Sequence, residues 1–185
     1  MVTIFLFHGV RGHPEENWFP WLKKELQKVR HPVIVPPFPH ADHPELREWL
    51  DFFEQWRPLL NAGTIFVGHS LGCTFALRLL EQLKQPIRAT FLVAPVWGVM
   101  ENKFDPLMTS FTSAPFDWRA IRENAGAITV LHSDNDPYIA PKKTEELAKN
   151  LGVGVTLIRN GGHLNEAAGY TTFEELRAAI MDILP

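Results

Sequence analysis

Short runs of β-branched and aromatic residues recur along the chain, at Thr3–Phe7, Pro32–Val35, Thr64–Val67, Ala89–Val93, Ile128–Leu131 and Val155–Ile158. Each is almost continuously apolar rather than alternating, which is the pattern of strands covered on both faces. Between these runs the apolar positions fall three and four apart. Trp18, Trp21, Leu22, Leu26 and Val29 follow the first run, and Leu46, Trp49, Leu50, Phe53 and Trp56 follow the second. Leu71, Phe75, Leu79 and Leu83 make a third helical stripe, Leu147 and Leu151 mark a fourth, and Phe173, Leu176, Ile180 and Ile183 close the chain. Asp42 is the expected N-cap of the second helix, with Pro44 in its first turn. Strand and helix in alternation predict right-handed crossovers. The expected fold is α/β, a three-layer α/β/α sandwich with a mostly or wholly parallel sheet of about six strands.

Residues 97–118 break the rhythm. They hold two prolines, Pro106 and Pro115, and five large aromatics: Trp97, Phe104, Phe111, Phe116 and Trp118. A connection this long and this apolar is expected either as a lid or pocket wall, or as a short irregular helix on the core. Residues 1–185 otherwise read as one domain, since 185 residues suffice for a single core without staples.

Composition removes several classes of function. The net charge of -3 gives no basic field for nucleic acid or anionic lipid. A single cysteine cannot form an internal disulfide or a thiolate metal cluster, which favours a reducing compartment. Val2 to Phe7 has no basic residue before it and is too short for a signal or membrane segment, so a buried first strand in a soluble cytoplasmic protein is expected. His40, Asp42 and His43 lack a fourth partner nearby in sequence, which makes a metal site a poor reading. Neither a G-x-x-x-x-G-K nor a G-x-G-x-x-G follows any strand, so no nucleotide cofactor is expected.

In open α/β sheets ligands bind beyond the carboxyl ends of the strands. There the chain carries Gly68-His69-Ser70-Leu71-Gly72, a G-x-S-x-G sequence between a strand run and a helical stripe. Chance predicts on the order of 0.02 such matches in this composition. A sharp strand-to-helix turn would lift the Ser70 hydroxyl out of the sheet, with the helix N-terminus behind it to stabilise developing negative charge. A serine needs a base, and the base an orienting acid, expected in the order Ser, acid, His. His163 follows the last strand run in Asn160-Gly161-Gly162-His163-Leu164-Asn165. Asp134 and Asp136 are the acid candidates. Asp136 is preferred because Pro137 fixes its turn, while Asp134 reads as a turn former. The oxyanion donors are expected at the backbone N–H of Leu71 and of Val10, with His8 as a structural anchor. Cys73 reads as a small buried hydrophobe. His69, Trp97, Phe104 and Phe111 are the candidate pocket residues.

On these residues the chain resembles the α/β-hydrolase superfamily, and within it the small serine-hydrolase branch that includes the YdeN-like bacterial proteins and retinoblastoma-binding protein 9. The matching pieces are His8-Gly9, Trp18-Phe19-Pro20-Trp21-Leu22, GHSLG at 68–72, PFDW at 115–118, SDNDPYI at 133–139 and GGHLN at 161–165. The resemblance implies Ser70 as nucleophile, Asp136 as acid and His163 as base, in a compact fold without the first two strands and large cap of bigger relatives. One departure is Ile139-Ala140-Pro141, where proline is expected directly after the aliphatic residue. The expected activity is hydrolysis of small carboxylic esters without metal or organic cofactor. Peptide or amide cleavage by the same residues, and a protein-binding role on the same fold, stay open as alternatives, so a protein partner is possible alongside a small-molecule ester or short peptide substrate.

Overall fold

A computed structural model describes residues 2–185. Six parallel strands lie in the order β2-β1-β3-β4-β5-β6. They are β1 (Ile4–Phe7), β2 (Val33–Ile34), β3 (Ile65–His69), β4 (Ala89–Val93), β5 (Ala127–Ser133) and β6 (Val155–Ile158). The helices are α1 (Phe19–Lys28), α2 (Leu46–Phe53), α3 (Leu71–Leu80), α4 (Asp105–Thr112), α5 (Trp118–Asn124), α6 (Pro141–Leu151) and α7 (Glu174–Met181). No helix among the described residues is long and apolar enough to cross a membrane.

The period-two geometry of the strands divides the core in two. Ile4 and Leu6 of β1 face α1 and α7, with Phe19, Leu22, Leu176 and Ile180 packed on them. Phe5 and Phe7 face the other way, into a cluster with Phe53, Phe66 and Phe75. Burying each such ring contributes roughly 2–3 kcal/mol. Helix α3 crosses the middle of that layer and is buried at all ten of its positions. Because the chain steps from β1 outward to β2 and then back to β3 on the other side, the sheet's switch point lies between β1 and β3, and a crevice opens beyond their carboxyl ends.

Three expectations need correction. Asp42 does not cap α2. The helix starts at Leu46 after an extended Glu45 (φ -118°, ψ 126°), and the Leu46 N–H is satisfied by Ser110 Oγ at 3.1 Å. The stripe that was expected to run to Trp56 leaves the α-helix at Phe53 and continues as a 3-10 stretch, Glu54–Leu59, that contains Pro58. Strand β6 is not covered on both faces: it is a sheet edge, and Leu157 is 55% exposed.

Residues 97–118 contain α4 and lead into α5. Arg78 of α3 pins this segment. Its guanidinium donates to the carbonyls of Phe111 (3.0 Å), Ala114 (2.6 Å) and Pro115 (3.1 Å), pairs with Glu81, and stacks 3.7 Å over the Phe116 ring. The planar fork of arginine serves several acceptors at once where an ammonium could not.

Candidate active site

Ser70 sits at the turn between β3 and α3 with φ 54° and ψ -120°, a conformation that costs a non-glycine residue of order 1–3 kcal/mol. Its backbone is held on both sides. The N–H donates to Val93 O at 3.0 Å, and the carbonyl accepts from Cys73 and Val96 at 3.0 and 3.2 Å. Three glycines make room for this turn. A Cβ on Gly68 would come within 2.6 Å of the Cys73 backbone, one on Gly72 would run into the Phe7 carbonyl, and one on Gly9 would sit 3.0 Å from Ser70 Cβ. Leu71 is the first residue of α3, where the opening N–H groups of a helix lack intrahelical partners. Val10 lines the cavity beside Ser70 on the loop after β1.

Asp136 and His163, the candidate acid and base, arrive from neighbouring loops. His163 Nδ1 donates to Asp136 Oδ2 at 2.8 Å, and the other carboxylate oxygen accepts from the N–H groups of Tyr138 (2.8 Å) and Ile139 (3.1 Å). The Asp136 side chain is fully buried. Burial alone would raise its pKa, but the His163 hydrogen bond and charge, with the two amide donors, outweigh it and hold the carboxyl below its usual value. A carboxylate only accepts, so the hydrogen lies on Nδ1 and the Nε2 lone pair of His163 is free to take a proton. Among the described residues no hydrogen bond joins Ser70 Oγ to His163. Such bonds commonly close only with substrate in place.

Ser70, His69 and His163 line a cavity of about 200 Å³ with Gly9, Val10, Phe104 and Met108. That is below the usual 300–1,000 Å³ of ligand pockets. His69 is buried against Trp18 and Phe19, and desolvation drives it down to about 3, so it stays neutral. Its Nε2–H donates to His163 O at 3.0 Å, which makes it a brace for the His163 backbone. His8 is likewise a buried anchor, as expected: Nε2 accepts from Phe38 N at 3.3 Å and Nδ1 donates to Gly9 O at 3.0 Å.

Two pocket expectations are corrected. Phe111 is fully buried beside Trp49, because its side of α4 packs on the core. Trp97 is outside the cavity lining, held away by its indole N–H donating to Lys143 O at 2.8 Å. Asp134 is no acid to His163. Its Oδ1 accepts from Asn160 N at 2.8 Å. The His40 ring pairs with Glu48 at 2.8 Å, and Cys73 is buried with its thiol pKa pushed well up by desolvation.

The sequence reading missed the residues that tie the two loops together. Ser133 Oγ accepts from Gly161 N at 2.8 Å and donates to Asn135 Oδ1 at 2.7 Å, which in turn accepts from Gly162 N at 2.8 Å. Their signal was present in the SDND run, where short polar side chains favour local backbone bonds. His132 was missed too. It is buried behind Asp136, with Nδ1 4.0 Å from Oδ2 and Nε2 donating to Ile139 O at 3.1 Å.

Comparisons with known proteins agree with this architecture. The chain is 30% identical over 171 residues to YdeN of Bacillus subtilis, covering 91% of this chain and 89% of that one. It is 24% identical over 169 residues to the serine hydrolase RBBP9 of Rattus norvegicus, covering 91% and 87%. The crystal structure of the B. subtilis ydeN product superposes with a TM-score of 0.93 at 28% identity, over 99% of this chain and 98% of that one. Est1E of Butyrivibrio proteoclasticus shares the fold at a TM-score of 0.72 and 15% identity, over 98% of this chain and 87% of its own. A profile of the serine hydrolase family matches residues 4–182, and with the α/β-hydrolase architecture above, the chain belongs to that family.

Proposed function

We propose that this chain is a serine esterase acting on small carboxylic esters. The observation that carries the reading is the 2.8 Å bond from His163 to buried Asp136, with His163 lining the cavity onto which the strained Ser70 opens. Ser70 Oγ attacks the acyl carbon as His163 Nε2 takes its proton, while Asp136 holds the ring and faces the imidazolium charge. The N–H groups of Leu71 and Val10 stabilise the tetrahedral oxyanion. The bond to the leaving oxygen then breaks as His163 returns the proton, and an alcohol departs. Water, deprotonated by the same imidazole, attacks the acyl-Ser70 ester and releases a carboxylic acid and free serine.

A cavity of about 200 Å³ and a wall built of one short helix favour a modest acyl group. An ester is favoured over an amide because an alcohol leaves without the strong protonation an amine requires. The lone cysteine, buried and unpaired, fits a cytoplasmic setting. The test is labelling with a fluorophosphonate. Wild type should label, while Ser70→Ala and His163→Ala should not. A folded wild type that stays unlabelled refutes the reading.

A further inference from the structure

The cavity in front of Ser70 has two unlike ends. Val96, Phe104, Met108 and Ile139, with Asn102 among them, make one largely apolar, and Arg11, Glu16, Asn17 and Asn165 make the other polar. Glu16 is the unusual member. It is half-buried, and its carboxylate lies close against Gly12, where an added Cβ would come 2.5 Å from Glu16 Oε1. The mechanism above has no use for it. Burial pushes its pKa up to about 7; a bond from the His13 N–H opposes this, and the Glu166 carboxylate adds to it. Among the described residues no salt bridge joins Glu16 to a cation; Arg11 lines the same cavity but is exposed. A carboxylate drawn out of water without a cation is costly to keep charged, and a cationic ligand relieves that cost.

The loops say which half of a substrate meets it. The polar end is joined to the base loop: Glu166 N donates to Asn17 Oδ1 at 2.9 Å, Trp18 Nε1 donates to Leu164 O at 3.0 Å, and Asn165 follows His163 by two residues. His163 must hand its proton to the leaving oxygen, so the leaving group departs on that side and the acyl group rests on the apolar wall.

We propose that Glu16 selects esters whose leaving alcohol carries a positive charge, as an amino alcohol or a quaternary ammonium alcohol does; this rests on the esterase reading. The charged and titratable groups around it are Arg11 and His13 on its own loop, Glu166 beyond the base loop, and His69 and His163 at the cavity floor. Arg11 is exposed and works against the selection, which burial favours Glu16 to win.

The experiment compares acetylthiocholine with 3,3-dimethylbutyl thioacetate, which has the same shape with carbon in place of the charged nitrogen. Neither titrates, and the base acts on both alike, so the ratio of their kcat/KM values reports the charges that meet the leaving group, and Glu16→Gln isolates the carboxylate's share. In wild type the ratio should rise from near one at about pH 5.5 to about tenfold at about pH 8.5, as Glu16 loses its proton. In Glu16→Gln it should be flat and near one. The matching pair of phosphonothiolate inactivators gives the same ratio from the rate of Ser70 modification, so a poorly used acetyl group does not hide the answer. A flat ratio in wild type, an unchanged pH-dependent ratio in Glu16→Gln, or a ratio below one, which would put Arg11 in charge, overturns the proposal. If neither thioester nor fluorophosphonate reacts, the esterase reading itself fails and takes this inference with it.

Discussion

Replacing Asp136 by Asn changes one atom, and the surrounding bonds dictate what that atom does. Two N–H donors, Tyr138 and Ile139, converge on Oδ1. An Asn side chain must therefore keep its oxygen there, because its NH2 group cannot face two more donors. The NH2 is left pointing at His163 Nδ1, where the carboxylate oxygen now sits at 2.8 Å. It donates, so Nδ1 must become the acceptor and the ring proton moves to Nε2. The base then has no lone pair toward Ser70. A wrong tautomer of this kind costs about 10⁴-fold in a serine protease, and about 10³- to 10⁴-fold is expected here, which is about 4–5.5 kcal/mol of lost transition-state stabilisation. The fold should hold, since both amide bonds survive. The assay is kcat on a neutral ester together with the rate of fluorophosphonate labelling. Asp134→Asn is the control: it retains an oxygen for Asn160 N and should lose less than about twofold. An Asp136→Asn enzyme within about tenfold of wild type, or an Asp134→Asn enzyme equally damaged, would refute the reasoning.

Arg78→Ala should destabilise the protein by about 3 kcal/mol, because it strands Glu81 and the buried Phe111 carbonyl and removes the stacking on Phe116; at this chain length the melting temperature would fall by about 6–12 °C in a thermal scan. A loss below about 1 kcal/mol would mean that solvent replaces those bonds. Acid should also weaken the fold through its buried histidines. Burial lowers His8 to about 4 and His69 to about 3, against 6.5 for an unfolded histidine. Below 6.5 the unfolded chain binds protons that the native state refuses, so stability falls as pH drops until the native rings themselves protonate. Urea unfolding at about pH 7 and about pH 5 should differ by about 2 kcal/mol for each ring, and His8→Gln should remove its share.

The strands and the loops that carry the three proposed catalytic side chains were legible because their signals are local. Apolar runs mark β1 and β3, the glycines of GHSLG announce the turn at Ser70, and the loop at 161–165 advertises His163. What escaped depends on partners far away in sequence. The start of α2 is set by a hydroxyl 64 residues on, at Ser110, which no capping pattern near Asp42 can show. Phe104 and Phe111 look alike in sequence, yet one lines the cavity and the other is buried against Trp49, because the direction of α4 follows from the grip of Arg78. The exposure of β6 is likewise invisible in Val155–Ile158, since edge or centre is decided by sheet order.

His163 comes off β6, the sheet edge, and not off the buried middle of the sheet that carries Ser70. Beyond the bonds that His69, Trp18 and Asp136 make farther along the loop that holds it, the start of that loop is fixed by the amides of Gly161, Asn160 and Gly162, which donate to Ser133, Asp134 and Asn135. Those amides open to water by parting three local bonds, whereas those of α3 open only when the whole core does. The protein therefore carries a fuse in the loop that leads to His163. Native-state hydrogen exchange should find Asn160 to Gly162 among the early exchangers, and mild denaturant should silence turnover well before the sheet unravels.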